Sequence, residues 1–176
     1  MKTIEELVGE VARNLGVSNT PQKTQTAPKN IVSPKSEEKA VTYKLTLDIA
    51  KELALAAEIA AESIGVKVVV SVCDEGANLI LLHAMNDSYI ASVRASQDKA
   101  YTAVALKMPT HKALEESRGG ALDGLTNGNG ILLLGGGFPL TAADKIYGGI
   151  GVSGGTKDED TLIAAVAARY FQTRFK

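Results

Sequence analysis

Tryptophan is missing from this sequence, cysteine occurs once, histidine twice, and aromatics make up 5% of the residues. Each scarcity closes a route. Cys73 has no second cysteine to pair with, so no intrachain disulfide can hold the fold, and an intracellular compartment is the simplest expectation. Only His83 and His111 can offer an imidazole to a metal. No apolar run reaches the length of a bilayer span, so no membrane partner is expected. The N-terminus lacks an apolar h-region, so no signal peptide is expected either. Charge of one sign is lacking too: the formal net charge is −1, which gives no electrostatic case for nucleic acid or an anionic surface.

What remains is a chain of 176 residues, 45% hydrophobic and with 17 glycines, enough for one domain with a core plus an appendage. Abundant Ala and Gly point to close-packed helices and tight turns. Residues 3–15 predict an amphipathic helix, with Ile4, Leu7, Val8, Val11 and Leu15 on one stripe and Thr3 with Glu6 as a capping box. Residues 16–42 then change character. Pro21, Pro28 and Pro34 punctuate a polar run that reads as a solvated linker. A helix this short is marginal alone and needs a surface. That surface is either its own domain, a sister chain, or another protein's groove.

The domain proper is expected over residues 43–176. Thr46 to Ile64 predicts a helix ended by Gly65, and 66–84 a β-hairpin turning at Asp74, Glu75 and Gly76. Ser88 to Lys107 predicts a second helix, kept slim by alanines and ended before Pro109, with Thr110 capping a short helix through Glu116. Five glycines mark 117–130 as a loop. Ile131–Leu134 predicts a third strand, and 138–142 with 145–152 a second hairpin across Ala143 and Asp144. Thr156 and Glu159 cap the last helix. The expected domain is α/β in the order α-β-β-α-β-β-β-α, a five-stranded antiparallel sheet with helices on both faces.

Before that last helix stands KIYGGIGVSGGT, which contains a literal GxGxxG at Gly149, Gly151 and Gly154. A dinucleotide fingerprint needs a further strand with an acidic residue at its end. No such strand follows, so these glycines and Gly155 are expected to build a tight strand-to-helix corner.

Four stretches in order, SVCDEGANLILLHAMNDS, ASVRASQDKAYTAVALKMPTH, LLLGGGFPL and GGIGVSGGTKDEDTLIAAVA, resemble the GlcG/HbpS heme-binding family, whose domain also forms the C-terminal half of PduO proteins. The resemblance spans roughly residues 43–174. It implies a profilin-like fold, a homo-oligomer and, in several members, bound heme. It also recasts residues 3–15, which resemble the short helices that carry cargo enzymes into bacterial microcompartments. Ile4, Leu7, Val8, Val11 and Leu15 then become the expected contacts with a shell protein, inside a cytoplasmic microcompartment of the propanediol or ethanolamine type. On that reading the helix lies away from the domain, and its removal leaves domain stability unchanged.

A heme iron takes His, Met, Cys or Tyr as axial ligand. The first domain helix contains no histidine, which leaves His83 and His111 as ligand candidates, with Met85, Met108, Tyr101 and Cys73 as fallbacks. By residue type alone His83 also reads as a packed strand residue and His111 as an exposed loop residue. Lys99, in a Lys-Ala pair that recurs in the family, is expected to pair with a carboxylate or a heme propionate. Asp74 and Glu75 read as a solvated turn, and Ser153 has no base at a readable spacing, so no catalytic residue is assigned. Asn127 and Asn129 lie in a loop polar enough to edge a pocket. Three functions stay open: a heme or tetrapyrrole-binding accessory protein, an enzyme or redox helper in corrinoid or aldehyde metabolism, and a ligand-free structural oligomer. The adenosyltransferase half of PduO has no counterpart in the sequence, so corrinoid adenosylation is not expected.

Overall fold

The computed structural model describes residues 2–16 and 44–174. Nearly all of the expected linker lies outside these residues. The order is α1 (Ile4–Asn14), α2 (Leu47–Ser63), β1 (Val69–Asp74), β2 (Leu79–Ala84), α3 (Ile90–Ala105), α4 (Thr110–Glu116), β3 (Gly137–Ala142), β4 (Lys145–Ser153) and α5 (Lys157–Arg174). The strands form one antiparallel sheet in the order β2-β1-β4-β3.

Local chemistry fixes the element ends. In α1 the Glu6 N–H donates to Thr3 Oγ1 (3.3 Å) and the Thr3 N–H to Glu6 Oε2 (2.8 Å). Thr156 and Glu159 repeat this reciprocal cap at α5, satisfying two donors left free at the helix start. The β3–β4 turn places Ala143 (φ 45°) and Asp144 (φ 60°) both in the left-handed region, the type I′ geometry that suits a two-residue hairpin.

The sheet has four strands among the described residues, not five. Ile131–Leu134 is apolar, yet its backbone finds side chains instead of a neighbouring strand. The Leu132 N–H donates to Thr102 Oγ1 (2.8 Å), the Leu133 N–H to Asn127 Oδ1 (2.8 Å), and the Leu134 carbonyl accepts from Thr110 Oγ1 (2.6 Å). Only an isolated bridge, Gly128 to Ile131, remains. Thr110 is the first residue of α4 and not, as the sequence suggested, its cap. The cap position is Pro109, which has no side-chain hydrogen bond to give, and the Thr110 hydroxyl clamps this segment instead.

The two central strands carry different side chains to the two sheet faces. Val70, Val72, Ile150 and Val152 point to one face and join the main core with α2 and α5. Ser71, Cys73, Gly149 and Gly151 point to the other, under α3. Helix α1 does not lie away from the domain. Leu7 and Val11 are 1% and 0% exposed within the main core, and Ile4, Val8 and Leu15 pack against it. The stripe is covered by α5 and α2.

Candidate functional site

Glycines let α3 rest on the sheet. A Cβ on Gly151 would collide with the Ser96 carbonyl, one on Gly137 with the Lys99 carbonyl, and one on Gly149 would stand 2.7 Å from the Ala100 carbonyl oxygen. At the corner, a Cβ on Gly154 would meet the Lys67 carbonyl and one on Gly155 would stand 2.8 Å from Glu159 Oε2. The GxGxxG positions are thus occupied by the protein's own backbone and side chains.

That close approach delivers Lys99 into the interior. Its ammonium, fully buried, donates to Asp160 Oδ2 (2.6 Å) and to the Val152 carbonyl (2.9 Å). Asp160 Oδ1 accepts from the Gly155 N–H (2.9 Å). Of the two partners expected for Lys99, the structure supplies the carboxylate, and burial keeps the ammonium from any ligand at the surface. Desolvation works against both charges, holding Lys99 below the usual lysine range and Asp160 above the usual carboxylate range. The pair is a staple between α3, β4 and the start of α5.

The two histidines sit at opposite edges of the sheet. His83 lies on edge strand β2, opposite Val70, and its Nδ1 is 2.9 Å from Glu58 Oε1 on α2. The imidazole side chain is 43% exposed. A carboxylate partner at Nδ1 selects the tautomer with its proton there, which leaves the Nε2 lone pair free. Leu55, one turn before Glu58, is a large exposed apolar residue; Leu79 is exposed too, but a β-bulge between the Leu81 and Leu79 pairings turns it to the sheet face of Cys73, away from His83. His111, on α4, packs against Phe138 of the opposite edge strand β3, the rings tilted by 41° with centroids 5.6 Å apart. Its Nδ1 is buried with no hydrogen-bond partner, and burial pulls its pKa below the ordinary imidazole value. Three strand spacings, about 14 Å, separate β2 from β3. The histidines therefore do not converge on one site within a subunit.

Met108, in the turn after α3, is half-buried. The ring of Tyr101 lies against Gly130. Cys73 is buried and its thiol is pushed up to about 11 by burial, so it is not poised as a ligand. Asp74 Oδ1 accepts from the Gly76 and Asn78 N–H groups (2.9 Å each) and closes the first hairpin. No three His, Cys, Asp or Glu side chains among the described residues are grouped to hold a metal ion. Glu58 and Asp160 are the partners that sequence reading missed. They stand 25 and 61 residues from His83 and Lys99, beyond any local spacing signal.

The model of the family described as "Haem degrading protein HbpS-like" matches residues 45–169. This chain belongs to the HbpS-like family. Among family relatives, a 15.0 kDa protein from the dhaT-dhaS intergenic region of Citrobacter freundii is 42% identical over 130 residues, covering 72% of this chain and 92% of the relative. The corrinoid adenosyltransferase PduO of the same organism is 34% identical, but the match spans only 38% of its length against 69% of this chain. A solved structure of a PduOC:heme complex superposes with a TM-score of 0.68 at 32% identity, covering 73% of this chain and 95% of that one. In this HbpS-like chain the glycine corner and the Lys99–Asp160 pair all lie inside the matched span, as do both histidines.

Proposed function

We propose that this chain is a heme-binding accessory protein. The observation that carries the reading is its likeness, in sequence and fold, to the solved PduOC:heme complex. The donor set suits it. A porphyrin brings four equatorial nitrogens of its own and asks the protein for one or two axial donors. A chain with no grouped metal ligands among the described residues, but with half-exposed His83 held by Glu58 near exposed Leu55, meets that demand. When bound, the heme would supply iron-centred ligand or electron chemistry; the protein's part is to hold it and exclude or admit water at the iron. Titrating ferric hemin into the full chain should give a saturable, shifted Soret band with about one heme per binding site. A spectrum equal to free hemin at all ratios overturns the reading.

A homo-oligomer fits the exposed apolar residues at the start of and along α3, the N-cap Tyr89 with Ile90, Val93 and Tyr101, which one subunit leaves uncovered. We further propose that residues 3–15 bind a microcompartment shell protein. The capped, one-sided apolar helix and the likeness to PduO, a protein of propanediol utilisation, support this. The same five side chains now pack on α5 and α2, so shell docking requires α1 to leave the domain. Co-sedimentation of the chain with isolated shells tests it, and loss of binding in Leu7→Glu is the expected control.

A further inference from the structure

We infer that His83 is the axial ligand to the heme iron, through Nε2, and that Glu58 is its positioning residue. This rests on the heme reading above. The case is a comparison of the two imidazoles. A histidine that ligates through Nε2 carries its proton on Nδ1 and almost always donates it to a carboxylate or carbonyl, which fixes the ring and raises its basicity. His83 already has that partner: Glu58 Oε1 stands 2.9 Å from Nδ1. The outer nitrogen is left without a partner among the described residues, on a side chain 43% exposed.

His111 presents the opposite arrangement. Ligation through its Nε2 would force a proton onto Nδ1, which is buried with no acceptor. An orphaned buried donor opposes that state. The ring is also held by Phe138.

The surroundings of His83 suit a flat apolar ring with a polar iron. On β2, Leu81 and His83 share a pleat face; Leu81 is 8% exposed and seals the core, while His83 stands further along the edge. Leu55 (43% exposed) lies one turn before Glu58 on α2, beside the His83 partner. Leu55 is no part of the core cluster and leaves apolar surface on the helix that carries Glu58. Edge strand β2 has no neighbour on its outer side among the described residues, so the ring can approach from there.

The test uses the full chain with ferric hemin, read by absorption and, after reduction, by the iron–histidine stretch in resonance Raman. His83→Ala should lose that stretch and bind hemin at least about tenfold more weakly, and added imidazole should restore the wild-type spectrum. Glu58→Gln should keep ligation but lower the stretching frequency and weaken binding by roughly 10–100-fold, a spectroscopic change that a merely structural contact would not produce. His111→Ala should leave the spectrum unchanged. Circular dichroism checks that each variant is folded, and His83→Gln replaces His83→Ala if the latter is not. A wild-type Soret band and stretch in a folded His83 variant overturn the assignment while the heme reading stands. No saturable band in the wild type overturns both.

Discussion

The two faces of the sheet reach the same burial by opposite means. Under α2 and α5, Val70, Val72, Leu140, Ile150 and Val152 fill the space with branched aliphatic groups, all 0% exposed. Under α3 the facing positions include Gly137, Ser71, Gly149 and Gly151, and apart from a small cluster of Cys73 with Ala100 and Val104 the space is filled by the helix backbone itself. The first face is stabilised mainly by removing apolar surface from water, at about 1.5–3 kcal/mol per large side chain. Such an interface tolerates changes of shape that keep volume. The second face has little side-chain volume to give. It depends on close approach and on polar groups that must be satisfied: Lys99 with Asp160, and Ser71 with Ser96. One face should therefore respond to lost volume, the other to lost partners.

The largest effect is expected at Lys99. Lys99→Met removes one charge and leaves the Asp160 carboxylate buried with only backbone N–H partners at Gly154 and Gly155, and breaking one side of a buried pair costs about 3–5 kcal/mol. Lys99→Met with Asp160→Leu removes both charges and should recover a large part of that loss. Urea unfolding of the two single variants and the double variant measures the coupling. If the double variant is as unstable as the sum of the singles, the polar face is not governed by charge pairing, and the contrast with the aliphatic face fails.

The next effect belongs to the aliphatic face. Helix α1 adds Leu7 and Val11 to it, 1% and 0% exposed. Losing a buried Leu by truncation costs about 2–5 kcal/mol, but an 11-residue helix can undock locally, which caps the loss. Removing residues 1–40 should therefore lower the melting temperature by roughly 5–10 °C, equivalent to about 2–3 kcal/mol for a chain of this size. This reverses the expectation from sequence that the domain would not notice the deletion. An unchanged melting temperature would show that α1 contributes nothing to the folded domain and would strengthen its reading as a docking helix.

What could be read from the sequence was what depends on near neighbours. The reciprocal caps at Thr3/Glu6 and Thr156/Glu159 span three residues, and both hairpins turn where Gly76 and the Ala143–Asp144 pair mark them. Family likeness added the rest of the domain's class. Ile131–Leu134 misled because apolarity signals burial and not pairing: its amides bond to Thr102 and Asn127, contacts invisible without the fold. The stripe of α1 was legible, but not its partner, since any apolar groove would serve. Candidate site residues were found by type, as His83 and Lys99 were. Their surroundings were not, because Glu58 and Asp160 arrive from other elements through the packing of α2 on β2 and of α3 on β4.

The smallest effect is the finest test of the polar face. Ser71 and Ser96 are both 0% exposed, and their hydroxyl oxygens are 2.8 Å apart between β1 and α3. Ser96 Oγ also lies 3.2 Å from the Val93 carbonyl, to which it donates. With that proton committed, Ser71 is the donor to Ser96, and the two positions are not equivalent. Ser71→Ala leaves Ser96 with its own acceptor and should cost about 1 kcal/mol, the net worth of one hydrogen bond. Ser96→Ala strands the fully buried Ser71 hydroxyl, and should cost more, about 1–3 kcal/mol. The double alanine variant removes both polar groups and should be no worse than Ser96→Ala alone. Chemical denaturation resolves differences of this size when the slope is unchanged. Equal costs for the two single variants would mean that the proton order assigned here is wrong, and additive costs in the double variant would mean that the hydroxyls do not depend on each other.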